Sequence, residues 1–150
     1  MRVQTSGLSY SNVGEFLDLL PKGPRMSDNK PAVGTIGWID LTVGNAREVR
    51  DFYAKVVGWD IDPVPMGDYE DWCMSPSEAD PVAGICHSKG DNANQPPVWM
   101  MYIVVKNLDK SLANVEKLGG AVVVPTREMG EARFTVIRDP AGAVCALYQA

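Results

Sequence analysis

Apolar and polar residues alternate along residues 34–43, with Ile39, Leu41 and Val43 on one side and Trp38, Asp40 and Thr42 on the other. That period of two predicts a strand with two different faces. After Asn45 the period lengthens. Val49, Phe52, Tyr53, Val56 and Val57 stand at i, i+3, i+4, i+7 and i+8, which predicts an amphipathic helix over 46–57. Asn45 and Glu48 read as its capping box and Gly58 as its C-terminal stop. Three strand-like runs follow, WDIDPV, YEDWCM and PVAGICH, separated by Gly, Pro, Asp and Ser.

The same plan then recurs. A shift of 62 residues carries Ile39, Leu41 and Val43 onto Met101, Ile103 and Val105, and Asn45 onto a second predicted helix cap, Asn107. It carries Gly58 onto Gly120, Trp72 onto Phe134 and Gly84 onto Ala146. A second helix is expected over 108–118. Strand, helix and three strands thus occur twice, predicting an α+β fold of two βαβββ units. The units are expected at 34–88 and 98–150, joined by the polar, breaker-rich run 90–97 and together forming one domain over 34–150.

Residues 1–33 follow a different pattern. Val13, Phe16, Leu17 and Leu20 suggest a short amphipathic helix ended by Pro21 and Gly23, and a polar linker follows, so 1–33 reads as an appendage. The first residues lack a basic segment followed by an apolar one, so no secretory signal is expected. No apolar run approaches the roughly 20 residues of a membrane span. A net charge of −5 without a basic run argues against nucleic-acid or anionic-membrane partners. Three cysteines, Cys73, Cys86 and Cys145, at irregular spacing read as free thiols in a reducing, cytoplasmic setting.

The stretches WIDLTVGNAREVRDFYAKVVGW, PVAGI, YIVVKNLDKSLANVEKLGG and FTVIRDPAGAVCALYQ carry a family resemblance. With their FY…GW helix end, LGG turn and DPAG turn, they resemble the glyoxalase/bleomycin-resistance/dioxygenase (vicinal oxygen chelate) superfamily. The resemblance implies curved mixed sheets around a cup-shaped ligand cavity, with helices outside. It places Trp38 and Asp40 toward the cup and Ile39, Leu41 and Val43 toward the helices. Metal-using relatives carry His, Gln or Glu on the first and last strands of each unit. Those positions fall here on Trp38, Gly84, Met100 and Ala146, which are not ligands for a hard or borderline ion. No metal and no other cofactor is therefore expected, and a metal-dependent glyoxalase or dioxygenase is not. The single histidine, His87, falls beyond the ligand position on the opposite face of its strand and reads as a polar contact.

The expected cup is aromatic and apolar: Trp38, Cys86, Met100, Tyr102, Val144, Ala146 and Tyr148, with Asp40 as its acid and Trp72 and Met74, or their strand neighbours, joining them. Such walls suit a small apolar or aromatic ligand. Asp40 and its repeat-related partner Tyr102 are the candidate acid–base groups. The acidic run Asp68, Glu70 and Asp71 reads as a solvated strand end. The leading expectation is metal-independent binding of a small molecule. Two alternatives stay open: a metal-free isomerase or lyase using Asp40, and a filled cup that serves protein contacts only. Relatives that share cups across chains suggest a homodimer.

Overall fold

Strand β1 (Ile36–Val43) opens the first unit, followed by helix α1 (Ala46–Val57), β2 (Asp60–Pro65), β3 (Glu70–Ser75) and β4 (Ala83–His87). A single 3-10 turn at Gly90–Asn92 leads to the second unit. This comprises β5 (Trp99–Val104), helix α2 (Leu108–Lys117), β6 (Ala121–Met129), β7 (Ala132–Arg138) and β8 (Val144–Gln149). These elements come from a computed structural model describing residues 30–150, so the helix expected around residues 13–20 lies outside the described residues.

All eight strands join one curved sheet in the order β2-β3-β4-β1-β5-β8-β7-β6. The order reads as two four-stranded halves placed back to back. Where they meet, β1 and β5 run antiparallel, with Trp38 opposite Tyr102 and Asp40 opposite Met100. Within each half the first strand pairs in parallel with the last, β1 with β4 and β5 with β8. A right-handed crossover through a helix is the usual route to such parallel pairs.

Alternation along the strands divides the core in two. Ile85, Trp72 and Met74 pack beneath α1 with Ala46, while Ile137 and Leu147 pack beneath α2 with Leu108. The opposite face holds one cluster that spans both halves, including Trp38, Cys86, Met100, Tyr102, Phe134, Ala146 and Tyr148. The two helices cover the convex side, and this cluster occupies the concave one.

Local chemistry fixes the connections. Gly58 ends α1 at φ 82°, a left-handed conformation that a side chain resists, and its N–H caps the Ala54 carbonyl. Gly120 has a different reason: a Cβ there would sit 2.8 Å from the Arg138 carbonyl oxygen and 2.8 Å from Val115 Cγ1. The DPAG turn closes on Asp139, whose Oδ1 accepts from the N–H groups of Ala141 at 2.8 Å and Ala143 at 3.0 Å.

The helix caps are not equivalent. Asn107 accepts from the Lys110 N–H at 2.9 Å, as its position predicts. Asn45 does not cap α1 with its side chain; its Nδ2 donates instead to Glu48 Oε2 at 2.8 Å. The expected capping box is thus only a side-chain pair, because Asn45 sits at φ −100°, ψ 44° rather than in the extended conformation of Asn107.

Candidate functional site

The central strand pair sets the floor of the concave face. Asp40 and Trp38 rise from β1, and Met100 and Tyr102 from β5. Burial is nearly complete, at 4% exposure for Asp40 and 1% for Tyr102. Asp40 and Tyr102 stand diagonally across the β1–β5 pair, through the in-register pairs Asp40–Met100 and Trp38–Tyr102, and the Tyr102 hydroxyl favours the ionised Asp40 carboxyl. Burial pushes the Asp40 carboxyl up to about 7, against the hydrogen bond from Tyr102 and helped by the charge of Asp71. Burial likewise holds the Tyr102 phenol well above its ordinary range, and the nearby Asp40 charge adds to the effect. Near neutral pH the Asp40 carboxyl is therefore part protonated, while the Tyr102 phenol keeps its proton.

Around it lie aromatic and sulfur-bearing walls. Tyr102 and Phe134 have ring centroids 5.6 Å apart, and Tyr148 pairs in register with Phe134 across β7 and β8. Cys86 lies in the same cluster, as does Cys73 from β3. Burial raises both thiols, Cys73 to about 11 with help from Asp62, and Cys86 well above its ordinary value with help from the charges of Asp40 and Asp71. They are protonated packing groups at neutral pH.

Two sequence expectations are corrected on β3. Trp72 does not join the concave face: it pairs with Ile85, packs beneath α1 and receives the Arg50 guanidinium 4.4 Å from its ring centroid. Its strand neighbour Cys73 takes the concave position. Asp71 is not solvated either; it is 0% exposed, and its Oδ1 accepts from the His87 backbone N–H at 2.8 Å and contacts ring Nδ1 at 3.0 Å. His87 itself lies on the helix side, its ring 5.2 Å from that of Trp72. Alternation along the strands does not predict the Asp71–His87 pair. Its only signal was an acid and the single histidine on runs expected to be neighbouring strands.

The four positions where metal-using relatives carry ligands do converge. Gly84 stands beside Asp40, Met100 opposite it, and Ala146 beside Tyr102, which faces Trp38. An indole, a thioether, a methyl and a glycine do not form a donor set for a divalent ion. Among the described residues no group of three or more His, Cys, Asp or Glu is arranged to hold one. The residues present do not fit the family's metal.

The sequence profile of the glyoxalase/bleomycin resistance protein/dioxygenase superfamily matches residues 35–147. The chain belongs to this superfamily. CFP32 of Mycobacterium tuberculosis, described provisionally as a glyoxylase, is 35% identical over 121 residues, covering 78% of this chain and 46% of that protein. The anthracycline biosynthesis protein DnrV of Streptomyces peucetius is 26% identical over 131 residues, 79% of this chain and 48% of its own. The superfamily chain thus spans about half the length of the curated relatives it matches. A crystal structure of a superfamily member from Vibrio splendidus 12B01 superimposes with a TM-score of 0.51 at 10% identity, over 75% of this chain and 97% of that one, a likeness of fold. No helix among the described residues is long and apolar enough to cross a membrane.

Proposed function

We propose that this chain binds a small apolar or aromatic molecule against the concave face of its sheet, without a metal ion. The observation that carries the reading is the Asp40–Tyr102 pair set among Trp38, Met100 and Phe134. One polar anchor within aromatic and thioether walls is the makeup of a small-molecule site. The cluster is packed, so a ligand enters by displacing side chains. Met66 and Met100, unbranched and adaptable, are the members best suited to yield. DnrV, named for anthracycline biosynthesis, supports a planar aromatic ligand. The three free thiols suit a reducing cytoplasmic setting.

A second reading is favoured by the Asp40 carboxyl lying near 7, where a group both takes and gives protons efficiently. In that reading Asp40 is the acid–base group of a metal-free isomerase or lyase and Tyr102 orients it. The glyoxylase description of CFP32 agrees with an enzyme, though not with the residues at the metal positions here.

A thermal-shift screen of planar aromatics, with and without chelator, on wild type and Asp40→Asn separates these. Stabilisation of both proteins, unaffected by chelator, supports binding, since a ligand raises stability by mass action. Turnover lost in Asp40→Asn with binding kept supports the enzyme. Stabilisation abolished by chelator overturns metal independence. No stabilisation by any aromatic leaves a packed domain working through protein contacts.

A further inference from the structure

Asp71 is a buried acid that the Asp40–Tyr102 pair does not account for. Its side of the sheet follows from its neighbours: Trp72 and Met74 pack beneath α1, whereas Cys73 belongs to the concave cluster. Asp71, two residues before Cys73, shares the concave face. Its register supports this placement, because the pairing of Trp72 with Ile85 sets Asp71 across from Cys86, another concave residue. Burial holds the Cys86 thiol up, and the charges of both Asp40 and Asp71 add to the effect.

The two oxygens of Asp71 are in different situations. Oδ1 is held twice by His87, through the backbone N–H and through ring Nδ1. The His87 ring is itself fixed between Trp72 and Tyr69, with centroids 5.2 Å and 5.4 Å away. Oδ2 is equally buried and accepts no hydrogen bond among the described residues. A carboxylate oxygen withdrawn from water without a donor is a strong acceptor for one that arrives. Asp40, by contrast, already has the Tyr102 hydroxyl.

We infer that Asp71 is a second polar anchor of the concave site, with Oδ1 fixed by His87 and Oδ2 accepting a hydrogen bond from a hydroxyl or amino group of the ligand. The inference rests on the concave face being a ligand site and narrows its ligand to an apolar or aromatic body that carries a donor. His87 is then a positioning residue, acting through its direct contact with Asp71 Oδ1.

A matched pair of probes tests this: 2-naphthol, which has the donor, and 2-methoxynaphthalene, which lacks it. Titrations on the full chain are expected to show wild type binding 2-naphthol about tenfold tighter, the worth of one hydrogen bond to a charged acceptor. In Asp71→Asn the preference for 2-naphthol over 2-methoxynaphthalene should fall to about twofold or less. A carbon NMR measurement on wild type needs no variant: the Asp71 carboxyl signal should shift with 2-naphthol and not with its methyl ether. Equal affinities in wild type overturn the inference and leave the ligand site standing. A preference that survives in Asp71→Asn, or an unmoved carboxyl signal, sends the donor elsewhere and also overturns it. If neither probe binds while other aromatics do, the inference fails alone. If no aromatic binds at all, the reading of the site fails with it.

Discussion

Asp40 on β1 and Tyr102 on β5 occupy equivalent places in the two halves of the chain and stand diagonally across the central strand pair, where the Tyr102 hydroxyl favours the ionised Asp40 carboxyl. The equivalent pair Ile39 and Met101 is in register at the centre of β1 and β5, so Asp40 and Tyr102 each stand one residue from it on the same face. The Tyr102 hydroxyl opposes the burial that lifts Asp40. Tyr102→Phe should therefore raise the Asp40 carboxyl above 7, read by carbon NMR titration. It should also cost roughly 1–3 kcal/mol above that pH, where the buried carboxylate loses its donor. An unchanged Asp40 titration would show that the phenol contributes nothing to it.

The same burial makes stability depend on pH. Asp40 ionises near 7 in the folded chain and near 3.8 when its surroundings are lost. The folded state thus holds this proton more tightly than the unfolded state between those values. The stabilisation is fully present below about pH 4 and is lost as pH rises through 7. Urea unfolding should show wild type losing roughly 2–3 kcal/mol more than Asp40→Asn between pH 5 and pH 8. Parallel curves for the two proteins would contradict the raised carboxyl.

Where the chain alternates cleanly, its faces could be read directly. On β1, apolar residues separate from Trp38 and Asp40, and the repeat then brings Tyr102 to Asp40 without any structural knowledge. On β3, the run Trp72, Cys73 and Met74 is apolar throughout, because both faces of that strand are covered. Alternation carries no information in such a run, so it leaves open whether Trp72 and Met74 or their neighbours face the cup, and the structure gives that face to Cys73. Asp71 reads as solvated for a related reason. It lies among acids in sequence, and only the pairing of β3 with β4 reveals that His87 meets it. The two helix caps are the same residue type at equivalent positions, and backbone dihedrals alone distinguish them.

That difference between the caps has a measurable consequence. Asn107 satisfies the Lys110 N–H at the start of α2, whereas the Asn45 side chain makes no cap hydrogen bond at the start of α1. Asn107→Ala should destabilise the chain by about 1 kcal/mol, the usual loss of a side-chain cap. Asn45→Ala removes only an exposed pair with Glu48 and should cost no more than a few tenths. Chemical denaturation of the two variants checks both values, and equal costs would show that Asn45 caps α1 in solution.

The sheet is open, and its two ends predict the last property, self-association. β2 and β6 are its edge strands, each paired on one side only. Ile61 on β2 and Val122 and Val123 on β6 leave substantial apolar surface exposed beside those unpaired edges. Exposed edges carrying apolar side chains favour pairing with another chain. Pro63 and Pro65 interrupt the donor row of β2, so β6, interrupted only at Pro125, is the better template. Two-fold pairing would set β6 of one copy antiparallel to β6 of its partner, a self-complementary contact that closes on itself. Sedimentation at micromolar concentration should accordingly give a species of twice 16.3 kDa. Val123→Lys, which sets like charges near each other across that contact, should shift it toward the monomer without unfolding it. A wild-type chain that sediments only at 16.3 kDa would remove the dimer. A dimer indifferent to Val123→Lys would move its interface away from β6.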